Sequence, residues 1–189
     1  PVMTTLLGKS AFNERHPLAL GVGSYATTAM AREYLERCDA VFAIGSSLSR
    51  TIFAPAMPAG KRIVHATVDP CDVNKDTVPD VAILGDAKLV LRQMINLARD
   101  QLGHGGSAKR QQAEAHVGSI HDSWLARWRP KLPSDEVPLN PYRVMGDFMK
   151  SIDPANAIVT HDSGNPRDQL VPIYESVSPR GYIGWGHST

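Results

Sequence analysis

Two short clusters hold the side chains best suited to chemistry: His161-Asp162-Ser163-Gly164-Asn165, and His187-Ser188-Thr189 at the end of the sequence. An imidazole beside a hydroxyl invites a serine-hydrolase reading. Neighbouring residues on an extended chain point to opposite faces, however, and a triad is assembled across space, so neither run makes one alone. No G-x-S-x-G elbow occurs. Gly21, Gly23 and Ala26 spell G-x-G-x-x-A, but the run before them, His16-Pro17-Leu18, is a poor strand, so a dinucleotide fingerprint is weakly supported. Gly45, Asp69 and Asp86 each follow an apolar run. They could meet a nucleotide at the carboxyl edge of a sheet; for Gly45 a tight loop is an equal alternative, and for Asp69 and Asp86 a turn-capping role is favoured. His16, His65, His104, His116 and His121 lack the H-x-x-x-H spacing of a zinc helix, and Cys38 and Cys71 lie at unrelated spacings. Neither a metal centre nor a disulfide framework is expected.

The elements that would carry these residues follow from apolar periodicity. Ala40 to Ile44 and Ile63 to Val68 read as buried strands, and Val81 to Leu84 is a further short apolar run that reads as a strand. Lys88 to Leu102 then carries Leu91, Met94, Ile95, Ala98 and Leu102 at helical spacing. Strand, loop, strand, helix is the pattern of a parallel α/β sheet. Gly103 to Ser107 ends that helix. Ala108 to Trp128 predicts a polar helix striped by Val117, Ile120, Trp124 and Trp128, and Pro130 to Pro138 an extended, proline-rich connection. Asn140-Pro141 opens a further helix with apolar Val144, Met145, Phe148, Met149 and Ile152, which Asp153-Pro154 stops. Ala157 to Thr160 is a strand delivering the first cluster, Pro166 to Tyr174 an interrupted helix, and Gly181 to Trp185 a last strand.

The composition is that of a soluble globular protein of one or two domains: 189 residues, 42% hydrophobic, 21% charged, formal net charge +1. Near-neutrality gives no reason to expect a nucleic-acid partner, and no apolar run approaches the roughly 20 residues of a membrane helix. The amino terminus is unlike a signal peptide, which points to a cytoplasmic protein. The first residues begin without a methionine, in an apolar strand, as in a fragment of a longer chain.

Three runs resemble the thiamine-diphosphate-dependent enzymes of the acetolactate synthase and benzoylformate decarboxylase type. PVMTTLLGKSAFNERHPLALGVG is similar to that family's "TT-x-x-GKGAF…HPL-x-LG", Ala40 to Ser47 to its "DLLIAVG", and Val68 to Leu91 to its "IDIDP-x-EIGK…VPIVGDAK". The last match is the most specific. Asn140 to Thr189 resembles the opening of the pyrophosphate-binding domain. The resemblance implies a Rossmann-like parallel sheet with flanking helices over residues 1–105, a helical and Pro-rich linker over 106–139, and the truncated second α/β domain over 140–189.

By the same resemblance, Ser163, Gly164 and Asn165 would touch the diphosphate end of thiamine diphosphate, with Asp162 holding the turn. His187, Ser188 and Thr189 would lie under its rings, His187 as a possible proton shuttle. The intact enzyme would use Mg2+, act on a 2-oxo acid as a lyase or transferase, and form a homodimer or homotetramer. The family's glutamate and its G-D-G…N metal motif have no counterpart among these residues, which alone would be inactive, without catalytic or metal-binding residues of their own. Gly21 to Ala26 lacks the "GMHG" run of flavin-binding relatives and Ser47 to Arg50 replaces their "R-F-D-D". An empty central domain is therefore expected before one holding FAD or an ADP-type ligand. The competing reading is a stand-alone module for ADP, NAD or FAD using Gly45, Asp69 and Asp86. A third is an association piece using the Val144 to Ile152 face.

Overall fold

The computed structural model describes residues 1–23, 29–50, 56–102 and 107–184. Ala26, Gly103 to Gly106, Trp185, His187, Ser188 and Thr189 lie outside those residues. The chain divides into two compact units, one of residues 1–33 and 111–189, the other of residues 34–110.

The second unit is built on three parallel strands: β3 (Ala40–Ile44), β4 (Arg62–Thr67) and β5 (Val81–Leu84), in that spatial order. β4 is central, pairing Ala40↔Arg62 through Ile44↔Ala66 on one side and Val64↔Val81 through Thr67↔Leu84 on the other. It buries Ile63, His65, Ala66 and Thr67. β3, which reads as buried, is an edge strand with Ala43 alone buried and Phe42 exposed, and β5 is the other edge, with Val81 and Leu84 exposed. α2 (Ala87–Leu102) follows it. Of that helix's apolar face Val90 alone is buried among the described side chains, while Leu91, Met94 and Ile95 are exposed. Periodicity thus places α2 correctly, but a stripe that could be buried need not be buried.

In the first unit β1 (Val2–Thr4) pairs with β2 (Ala19–Val22), and β6 (Val159–Thr160) with β7 (Tyr182–Ile183), both parallel. α1 (Ala29–Arg37) runs on from this unit into the other, and α3 (Ser107–Leu125) returns, burying Val117 and Ile120. The core joins distant segments: Leu6 and Val22 pack with Val159, Leu170, Val171, Tyr174 and Tyr182. α4 (Pro141–Ser151) lays Met145, Phe148 and Met149 on that cluster, so the face considered for association is occupied within the unit. Asn140 caps α4, its side chain accepting from the Tyr142 amide at 3.0 Å, with Pro141 in the first turn where no donor is needed.

The proline-rich connection differs from its expected extended form. Arg129–Lys131 is a 3-10 turn, and residues 133–135 beyond it are clamped to α4. The Trp128 ring lies 4.9 Å from that of Tyr142, with the Lys131 ammonium over both. Arg143 donates to the Ser134 carbonyl at 3.2 Å and to the carboxylates of Asp135 and Asp147, each at 2.6 Å. Backbone carbonyls offered to a fixed guanidinium fork hold the segment down, a contact no local pattern announces.

Candidate functional site

The loop after β6 is shaped from within. His161 is buried and its Nδ1 lies 2.8 Å from the Asp162 carbonyl oxygen. The Asp162 carboxylate accepts from the Ser163 amide at 2.7 Å, so it is the turn-holding group. Gly164 has φ +82°, and a Cβ there would meet nothing within 4 Å. The backbone at this point is open and in a conformation that side-chain-bearing residues rarely adopt. α5 (Asn165–Leu170) begins at Asn165, with Pro166 in its first turn. Its far end is anchored by Leu170 and Val171 in the core. Ser163 is half-buried and Gly164 and Asn165 are exposed. The loop therefore presents small donors on a fixed base and could line one end of an anionic ligand.

The same unit holds a buried pair that no sequence motif marks. Lys9 Nζ donates to Glu14 Oε2 at 2.5 Å and to the Tyr174 carbonyl at 2.8 Å, the two side chains being 1% and 7% exposed. Glu14 Oε2 also accepts from the Ser176 amide at 2.8 Å, while the Glu14 amide donates to the Ser176 carbonyl. Residues 9–14 are thereby stitched to residues 174–176, and Ser10 Oγ reaches the Tyr182 carbonyl at 3.4 Å. Burial pushes the Lys9 ammonium below its ordinary pKa, with Glu14 opposing the shift. Burial pushes the Tyr182 hydroxyl well above the usual phenol value and raises that of Tyr174. A lysine and a glutamate five residues apart in a turn carry no periodic signal, so the pairing appears only in three dimensions.

The other predicted residues sit in the second unit. Gly45, Asp69 and Asp86 follow β3, β4 and β5 at the same carboxyl edge. Gly45 has φ +64° and donates its amide to the Ala66 carbonyl. Both carboxylates are engaged as caps, Asp69 accepting from the Cys71 amide at 2.9 Å and Asp86 from the Leu89 amide at 3.0 Å. His65, fully buried, holds the Ser46 carbonyl at 2.7 Å through Nε2. Gly21 lies inside β2 rather than in a strand-to-helix turn, and Met3 fills the space beside Gly23. The G-x-G-x-x-A match is thus out of register with the fingerprint it spells, as far as the described residues show. Cys38 and Cys71 are free, and no group of three metal-ligating side chains occurs among the described residues.

Comparison with known proteins adds a family. Residues 1–94 match the model of the thiamine pyrophosphate enzyme central domain. A probable acetolactate synthase large subunit of Methanococcus aeolicus is 29% identical over 98% of this chain and 32% of its own length. The counterpart in Methanocaldococcus jannaschii is 30% identical over 98% and 31%. An acetolactate synthase large subunit of Parasynechococcus marenigrum is 30% identical over 97% and 28%. The chain spans about a third of the length of the relatives it matches.

Proposed function

The chain belongs to the thiamine pyrophosphate enzymes, whose central domain its residues 1–94 match, and we propose that it forms the middle of a thiamine-diphosphate-dependent carboligase or decarboxylase of the acetolactate synthase type. The supporting observation is the reach of the likeness. It runs over 98% of the chain, past the central domain and through the loop at residues 161–165. Residues 1–105 form the central domain, 106–139 the connection, and 140–189 the start of the pyrophosphate-binding domain.

The open backbone at Gly164, with no atom within 4 Å of a Cβ position, fits the close approach of a diphosphate. Ser163, Gly164 and Asn165 would hold that end, with His187, Ser188 and Thr189 nearer the rings. The accompanying Mg2+ has no ligand set among the described residues, and no G-D-G…N run occurs in the 189. The metal's ligands and the activating glutamate are therefore assigned to other parts of the polypeptide. When bound, thiamine diphosphate supplies an electron sink for cleavage beside a carbonyl. Of this chain, Ser163, Gly164 and Asn165 would orient its diphosphate, with Asp162 holding their turn. The reading carries with it a 2-oxo acid substrate, a homodimeric or homotetrameric assembly and a cytoplasmic setting. In the Rossmann-like unit the capped carboxylates of Asp69 and Asp86 favour an empty domain over one holding FAD or ADP.

Isothermal titration of the polypeptide that carries these residues tests the proposal. Saturable thiamine diphosphate uptake that requires Mg2+, weakened several-fold by Asn165→Ala, is expected. No heat at millimolar cofactor, or tight uptake of ADP, NAD or FAD by residues 1–189 alone, would overturn it.

A further inference from the structure

One peptide in the loop after β6 is held at both of its polar ends. The Asp162 carbonyl oxygen lies 2.8 Å from His161 Nδ1, and the amide across the same peptide bond, that of Ser163, donates to the Asp162 carboxylate at 2.7 Å. A peptide unit is planar and its C=O and N–H point in opposite directions, so side chains on both ends leave it no freedom to flip. The next residue is Gly164, at φ +82° and open to approach. The plane that His161 and Asp162 hold is therefore the one from which the open backbone departs.

His161 is 7% exposed, and its ring centre lies 5.5 Å from that of Tyr182, which is also buried. A carbonyl oxygen can only accept, so Nδ1 carries a proton. Nε2 is shut away from solvent and has no hydrogen-bond partner among the described residues. As packing alone, an imidazole is a poor choice here. An apolar ring of similar size would fill the place without a buried nitrogen whose bond is unmade, and such a nitrogen costs free energy. What an apolar ring cannot do is donate to Asp162. The single bond at Nδ1 accounts for a histidine at this position.

We propose that His161 is a positioning residue for the loop that holds the diphosphate, acting through the Asp162 carbonyl. The inference rests on the reading of residues 163–165 as that loop. A carbonyl oxygen carries partial negative charge and would repel a diphosphate if it swung to the ligand side. Tied to a buried ring, it stays on the interior side. Ser163 and Asn165 then meet the ligand already arranged, and binding does not have to order them. His161 itself touches neither cofactor nor substrate.

Isothermal titration of thiamine diphosphate with Mg2+ into the full polypeptide that carries these residues tests the proposal, with the parent set against His161→Asn, His161→Gln and His161→Phe. An asparagine amide can place an N–H where Nδ1 stands, a glutamine amide reaches to the place of Nε2, and phenylalanine fills the space with no donor. The asparagine variant should bind within about twofold of the parent, and the glutamine and phenylalanine variants about tenfold more weakly, the worth of one net hydrogen bond. A role in packing alone gives the reverse order, with phenylalanine best retained. Parent-like binding by His161→Phe, or equal losses in all three variants, would overturn this inference and leave the cofactor reading standing. No uptake by the parent would overturn both. A second measurement needs neither variant nor cofactor: two-bond nitrogen–proton couplings of the His161 imidazole in the 189-residue chain should show Nδ1 protonated. A proton on Nε2 alone would sink the proposal.

Discussion

Replacing Lys9 with methionine keeps the length of the side chain and removes its charge. Glu14, 7% exposed, is then left as a buried carboxylate holding only the Ser176 amide. Breaking one partner out of a buried ion pair costs about 3–5 kcal/mol, because the survivor keeps its desolvation penalty and loses its compensation. With a urea m-value of roughly 2 kcal/mol/M, the unfolding midpoint should fall by about 1.5–2.5 M. The mirror change, Glu14→Leu, strands Lys9, 1% exposed, and should cost a similar amount. Installing both together removes both charges, so the double variant should be more stable than either single one. The coupling energy from the four-protein cycle should therefore exceed either single cost, at about 3–5 kcal/mol or more. Equilibrium urea unfolding followed by circular dichroism gives all four numbers. Single changes within about 0.5 kcal/mol of the parent, or a double variant equal to the sum of the singles, would refute the reasoning that desolvation governs this pair.

Two further outcomes are expected in the same region and in α4. Burial raises the Tyr182 and Tyr174 hydroxyls in the folded chain, so the unfolded chain ionises first. The stability they contribute is complete below the ordinary phenol pKa of about 10 and is lost as pH rises above it. Tyr182→Phe should flatten that alkaline decline when midpoints are compared between pH 9 and 11, with tyrosinate absorbance confirming late ionisation in the parent. Gly146 sits within α4, where a Cβ would lie 2.6 Å from the Leu132 carbonyl oxygen. Gly146→Ala gains helix propensity of about 1 kcal/mol, yet backbone overlap should reverse the sign and leave a net loss of about 1–3 kcal/mol in thermal unfolding.

Elements whose logic is local were legible in the sequence. Asn140-Pro141 announced the start of α4, and the apolar runs at 40–44, 63–68 and 81–84 marked three strands that all pair in parallel. The cap readings of Asp69 and Asp86 also rest on neighbours two or three residues away. Long-range arrangements were not legible. Lys9 meets Tyr174 across 165 residues, and no spacing rule links them. The exposure of β3 and α2 was hidden for the same reason: hydrophobicity states what an element could cover, and only topology makes β3, which reads as buried, an edge strand. At the candidate site, the sequence supplied the residue types of the 161–165 loop. The turn-holding place expected for Asp162 agrees with its bond to the Ser163 amide, whereas the positive φ of Gly164 is a property of the folded backbone.

The Arg143 clamp has a mechanical consequence. Residues 128–135 are fixed to the first turns of α4 by a tilted ring contact, a carbonyl bond and the Asp135 carboxylate. A stretch so rich in proline would ordinarily serve as slack rope, but here it is a bracket bolted to the helix it introduces. Force applied to residues 128–135 would therefore pass straight into α4, whose Met145, Phe148 and Met149 lie on the first unit's core.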